Sequence, residues 1–162
     1  MSSRVALEVT DLQTHFFTRL GVAKAVDGVS FSVNSGEIMG LVGESGSGKT
    51  VTGFSVIGLV DHPGRIVGGQ IKVGNSYIHN LDEIQMRSVR GNKVAMIFQD
   101  PMMTLNPVLR IDTQMIEAIL AHEKISKNAA RERSLWALKK VGIPAAKERL
   151  NSYPHQLSGG MR

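Results

Sequence analysis

The sequence predicts an α/β fold in which a Gly/Ser-rich loop joins an apolar strand to a helix, and three observations predict it. Residues 38–42 (Ile38, Met39, Gly40, Leu41, Val42) and 94–98 (Val94, Ala95, Met96, Ile97, Phe98) are apolar runs of strand length. Runs of this kind are expected of strands covered on both faces. Segments with helical patterning follow each run, and strands interleaved with helices define an α/β core. A Gly/Ser-rich stretch, residues 43–48, joins the first run to the helix behind it.

The elements follow in chain order. Val5, Leu7 and Val9 alternate with Ala6 and Glu8, and Val29, Phe31 and Val33 alternate with serines; both are the period-2 pattern of half-buried strands. Asn34-Ser35-Gly36 is a turn. A helix is expected from Lys49 to about Val60, stopped by Asp61-His62-Pro63-Gly64. Gly68-Gly69 opens a strand over 70–73. Asp82 is positioned to cap a short helix running to Val89, and two further helices are expected over 111–122 and 127–141. Gly142, with Pro144 just beyond, ends the second of them. The region after Phe98 is predominantly helical and reads as a subdomain, so the chain divides into a core that carries the Gly/Ser-rich loop (1–98), a helical subdomain (99–152) and a terminal segment (153–162).

Composition narrows the classes of function. The chain has 162 residues and a net charge of +5, from 19 Lys and Arg against 14 Asp and Glu. This length suits about one domain with a real core. The basic balance permits an anionic partner and equally fits a plain basic surface. No cysteine is present, which excludes disulfides, thiolate-held zinc and a catalytic thiol within these residues. No run approaches the roughly 18 apolar residues of a membrane span, and Glu8 and Asp11 interrupt the start too early for a signal peptide. The five histidines show no metal-ligand spacing.

Gly43-Glu44-Ser45-Gly46-Ser47-Gly48-Lys49-Thr50 matches G-x-x-x-x-G-K-[ST]. Glycines let the backbone wrap closely and aim N–H groups at a phosphate, and the helix that begins there adds its positive end. Lys49 can reach β- and γ-phosphates, and the Thr50 hydroxyl can ligate Mg²⁺. A flexible loop with no ligand would not need Lys-Thr at the helix start. A Mg²⁺-binding acid is also expected after a second core strand; the candidate, Asp100, is displaced by Gln99 and followed by Pro101. Asn92-Lys93 lacks the Asp that a guanine-reading motif requires at residue 95, which disfavours a GTPase.

Leu157-Ser158-Gly159-Gly160-Met161 resembles the signature motif of ABC-type ATPases, and Gln99 within Ile97-Phe98-Gln99-Asp100-Pro101 is similar to that family's Q-loop. Residues 36–42, 43–50, 66–71, 97–108 and 153–162 together resemble the ATP-binding subunits of importers for dipeptides, oligopeptides or nickel. The resemblance covers essentially the whole chain. It implies that Gly43, Ser45, Gly46, Ser47, Gly48, Lys49 and Thr50 hold ATP and that Thr50 and Gln99 hold Mg²⁺. Gln99 would sense the γ-phosphate and the attacking water. Phe16, four residues after Leu12, would stack on adenine, with adjacent Phe17 as the alternative. Ser158, Gly159 and Gly160 would close over ATP held by a second subunit.

The resemblance further implies two permease subunits and an external solute-binding protein as partners, no nucleic acid, and a peripheral location on the cytoplasmic face of the inner membrane. Residues 102–109 and the helices up to about Val141 would receive the permease, with Met102, Met103, Leu105 and Val108 as a soft apolar segment. The family's Mg²⁺-binding Asp, catalytic Glu and switch His would come later than Arg162, and His155 is not that His. The chain therefore reads as the N-terminal portion of such a subunit. It is expected to be inactive by itself and to lack the central strands that would bury 38–42 and 94–98. A non-catalytic nucleotide-binding fragment is the alternative, and a soluble ABC ATPase of translation or DNA repair is disfavoured by the 98–108 segment. Trp136 reads as packing, and Arg131, Arg133, Lys139 and Lys140 as a solvated helix face.

Overall fold

A computed structural model describes residues 4–99 and 104–161. The chain forms two compact units, residues 1–96 and 97–162.

The first unit is organised by a four-stranded antiparallel sheet in the order β2-β1-β3-β4. Strands β1 (Val5–Thr18) and β2 (Gly21–Asn34) form a long hairpin; β3 (Gly64–Val73) pairs with the other edge of β1, and the short β4 (Ser76–Tyr77) pairs with β3. The alternation seen in the sequence sets the inward face. Val9, Leu12, Val26 and Ile71 are buried, with Leu7, Val29, Phe31 and Val73 packed around them. Helix α1 (Lys49–Val56) and helix α2 (Glu83–Val89) add Val56, Met86 and Val89 to the same core. Thr14 on β1 donates to Ser55 Oγ on α1 at 2.8 Å, because the single Ser55 proton is already given to the Val51 carbonyl at 2.7 Å.

The pairing of β1 slips between Val9 and Leu12 on β2 and between Thr10 and Gln13 on β3. Asp11, with φ of 48°, is the bulged residue, and its N–H donates to Ser30 Oγ at 2.8 Å. Gly69 lies opposite with φ of 89°, and a Cβ there would strike the Asp11 carbonyl. A bulge of this type re-aims the strand beyond it.

Helix ends follow from local chemistry. Asp82 accepts from Gln85 N–H at 2.8 Å while Gln85 Oε1 accepts from Asp82 N–H at 3.0 Å, a complete capping box. Helix α1 ends at Val56, short of the expected Val60. Gly58 N–H reaches the Ser55 carbonyl and Leu59 N–H the Phe54 carbonyl, a Schellman stop. Arg90 then takes the carbonyls of Ile57 (2.8 Å) and Gly58 (2.7 Å) and pairs with Glu83 (2.8 Å). The signal in the sequence is Gly58 itself, which precedes the expected stop.

The two apolar runs differ from expectation. Neither 38–42 nor 94–98 forms a strand; Val94 makes one isolated bridge, to Arg90. Ile38 is 98% exposed, Val42 91% and Ile97 98%. A strand of this type needs a partner on each side and a layer on each face. The sheet formed here is antiparallel, and none of its strands pairs with either run. Beside them a cavity of about 340 Å³ is lined by Phe31, Val33, Met39, Val56, Val94 and Met96.

The second unit is helical: α3 (Ile111–Leu120), α4 (Lys127–Lys140) and α5 (Ala146–Leu150), followed by two single 3₁₀ turns. Helix α4 is capped by Ser126, which accepts from Ala129 N–H at 3.2 Å, and is stopped by Gly142 in a second Schellman arrangement. Ile111, Leu150 and Leu157 are its buried centre, with Leu105, Met115, Leu135 and Leu138 around them. Trp136 is not packed as expected: it is 62% exposed, because Ala130 and Ser134 hold the buried face of α4 and residue 136 turns away from it. Among the described residues no helix is long and apolar enough to cross a membrane.

Asp82→Ala should lower stability by about 1 kcal/mol and Asp82→Asn by much less, since Asn keeps the capping oxygen. Urea unfolding of the two variants checks this; equal losses would contradict the cap.

Candidate nucleotide-binding site

The loop from Gly43 to Gly48 leads directly into α1 with Gly48 as N-cap residue and no side chain capping the helix. That leaves the first backbone N–H groups of α1 open to an anion. Gly48 has φ of 86°, and a Cβ there would collide with the Ala25 carbonyl oxygen on β2. Only glycine satisfies both the left-handed backbone and this approach. The loop is thereby seated on β2, and Thr52 Oγ1 donating to the Gly48 carbonyl at 2.9 Å fixes the first turn.

Lys49 closes the loop. Its Nζ donates to the carbonyls of Gly43 at 2.8 Å and Glu44 at 2.6 Å, with Ser47 Oγ at 3.4 Å. Ser47 N–H donates to the Glu44 carbonyl at 3.2 Å, and Ser47 Oγ is 2.7 Å from where a Gly43 Cβ would lie. An ammonium held by neutral carbonyls exchanges them favourably for phosphate oxygens, which bring full opposite charge. Ser45, Gly46, Ser47 and Thr50 are exposed or partly so along the same rim. Thr50 stands in the first turn of α1, and among the described residues its hydroxyl has no hydrogen-bond partner. One free hydroxyl suits Mg²⁺, which takes few protein oxygens and fills its shell with water and phosphate.

Phe16 and Phe17 lie near the end of β1. Phe16 pairs with Ala23, two residues along β2 from the Ala25 carbonyl that faces Gly48; this spacing is about 7 Å. The Phe16 ring packs on Gly64 beside Val60. Phe17 has one face covered by the Arg65 guanidinium, 4.0 Å from the ring centroid.

The remaining site residues lie in the second unit. Gln99 is exposed. Asp100, Met102 and Met103 lie outside the described residues. Leu105 packs into the second core and does not offer itself to a partner, whereas Val108 is 75% exposed. Leu157 is buried and anchors the segment that follows. Ser158, Gly159 and Gly160 are exposed, with open space where Cβ atoms on the glycines would lie. Residues 159–161 form one 3₁₀ turn, closed by Met161 N–H to the Ser158 carbonyl at 3.0 Å.

A glycine loop seated on a strand, running into an uncapped helix start and closed by a lysine, defines a phosphate-loop nucleotide-binding fold. Residues 26–162 match the ABC transporter family, and the chain belongs to that family. It is 46% identical over 155 residues to the dipeptide transport ATP-binding protein DppD of Haemophilus influenzae, covering 96% of this chain and 47% of the relative. It is 45% identical over 157 residues to the oligopeptide transport ATP-binding protein AppD of Bacillus subtilis, covering 96% and 48%. The chain thus spans about half the length of the curated relatives it matches. Among solved structures, a dimeric bacterial ABC transporter cassette superposes with a TM-score of 0.82 at 22% identity, over 96% of this chain and 64% of that one. A post-hydrolysis state of that cassette, bound to ADP and phosphate, gives 0.79.

Gly48→Ala should weaken nucleotide binding at least tenfold, because the left-handed backbone costs about 1–2 kcal/mol and the Ala25 carbonyl must also move. Nucleotide titration of the variant, with circular dichroism to establish that it folds, measures this. Binding as tight as that of the parent would contradict the seating of the loop on β2.

Proposed function

We propose that this chain is the nucleotide-cradling portion of an ATP-binding subunit that energises import of dipeptides or oligopeptides across the cytoplasmic membrane. The observation that carries this reading is the Lys49 ammonium held over the Gly43 and Glu44 carbonyls at the open end of α1. ATP enters with its β- and γ-phosphates replacing those carbonyls, and the N–H groups of 46–50 and the positive end of α1 face the same anion. Thr50 would hold Mg²⁺, with Gln99 as the second protein oxygen that the family resemblance implies, and the ion would neutralise charge on the transferring phosphoryl group. Gln99 orients the attacking water. The gain in rate comes from positioning and charge stabilisation.

Phe16 carries adenine in this reading. Its place one strand over from the Gly48 contact supports the assignment, as does the occupation of one Phe17 face by Arg65. Ser158, Gly159 and Gly160, open to solvent, meet ATP held by a second ATPase subunit. Two permease subunits complete the transporter, with Val108 on the surface that receives them, and a solute-binding protein delivers the peptide outside. The subunit sits on the cytoplasmic face of the inner membrane. The peptide substrate is supported by the named relatives.

Lys49→Ala in the full-length subunit should weaken ATP binding roughly tenfold or more, since hydrogen bonds to charged groups contribute about 1.5–3 kcal/mol. Fluorescent-nucleotide titration tests it, and equal affinity would sink the phosphate-loop reading. In the same assay Phe16→Ala should weaken binding by about 1–3 kcal/mol, the usual worth of a base stacked on an aromatic ring, while Phe17→Ala leaves it nearly unchanged; the reverse order would move adenine to Phe17. The 162-residue chain alone should release phosphate no faster than its Lys49→Ala variant.

A further inference from the structure

The second unit holds a polar cluster that the nucleotide chemistry does not use. Asp112, in the first turn of α3, is buried, and its Oδ2 accepts from Arg110 Nη2 at 2.8 Å and from Arg131 Nη1 on α4 at 2.7 Å. The same two guanidinium groups converge on Asn151 Oδ1, Arg110 Nη2 at 2.6 Å and Arg131 Nη2 at 2.9 Å. Asn151 is the residue that closes α5. The carbonyl of its neighbour Ser152 accepts the Ile111 N–H at 2.9 Å, so the start of α3 is tied to this segment through backbone as well as side chain. Leu150 and Leu157 are buried in one apolar cluster with Ile111. The stretch from 151 to 157 is therefore pinned at both ends, and Ser158 is the first residue beyond the second pin.

The cluster has two cations and one carboxylate, and the Asn151 amide oxygen is the second acceptor, after Asp112 Oδ2, that both cations share. Arg110 Nε is already buried without a partner. Without the Asn151 oxygen, both guanidinium groups are left on Asp112 alone, and the 151–157 segment loses the two side-chain bonds that hold its first residue to the start of α3 and to α4.

We propose that Asn151 is a positioning residue for the segment carrying Ser158, Gly159 and Gly160. It joins that segment to Arg110, the N-cap residue of α3, and to Arg131 on α4. This role rests on the reading of Ser158–Gly160 given above. It predicts an effect on turnover and none on the Lys49 cradle, which lies in the other unit.

The test uses the full-length subunit assembled with its partners, comparing Asn151→Ala, Asn151→Asp, Arg110→Lys and Lys49→Ala. Asn151→Ala should lower kcat about tenfold while the dissociation constant for nucleotide stays within about twofold, the signature of a group felt only in the transition state. Asn151→Asp keeps an oxygen between the two cations and should restore kcat to within about twofold of the parent. Arg110→Lys loses the forked geometry but keeps the charge and should show the same split to a smaller degree, which keeps the test decisive if Asn151→Ala does not fold. A Lys49-dependent rate that Asn151→Ala leaves unchanged, or an Asp variant as slow as the Ala variant, would overturn the positioning role alone. A parent rate that Lys49→Ala does not reduce would overturn the nucleotide reading and this proposal with it.

Discussion

The approach of Gly48 to the Ala25 carbonyl is the contact on which the first unit depends. It fixes where α1 begins, and so where its open N–H groups and the Lys49 side chain are presented. The Thr14–Ser55 hydroxyl bond ties the far side of the same helix to β1. With its first residue set on β2 and its second turn set on β1, α1 is held to the sheet by both strands of the hairpin. A helix of eight residues would not be stable in isolation; here the sheet supplies its stability and its direction together.

Features set by near neighbours along the chain are legible from the residues alone. The start of α1 at Lys49, the Asp82 cap and the Gly142 stop each arise within a short stretch of chain, and all three appear where the sequence places them. Features set by distant partners are not legible in this way. The Asp11 bulge depends on Ser30 and Gly69, and nothing in Thr10-Asp11-Leu12 announces it. Arg131 reads as surface charge on α4, yet its guanidinium is divided between Asp112 and Asn151. Helix α5, at five residues, is too short for periodicity to reveal.

The runs 38–42 and 94–98 show the limit of hydrophobic pattern most clearly. A continuous apolar run states that a segment is to be covered; it does not supply the cover. The antiparallel sheet uses the alternating strands and leaves both runs unpaired beside an apolar cavity. The chain spans about half the length of its curated relatives. The loop, Lys49 and the start of α1 nevertheless take form, because they need only the strand on which they are seated.

The central claim is that Lys49 exchanges loop carbonyls for phosphate. A crystal structure of the full-length subunit with ATP and Mg²⁺ tests it most directly. The account predicts that Lys49 Nζ leaves the Gly43 and Glu44 carbonyls and lies within hydrogen-bond distance, about 2.7–3.2 Å, of β- and γ-phosphate oxygens, with Gly48 still seated against Ala25. Nucleotide bound while Lys49 remains on both carbonyls, or bound away from residues 43–50, would contradict it.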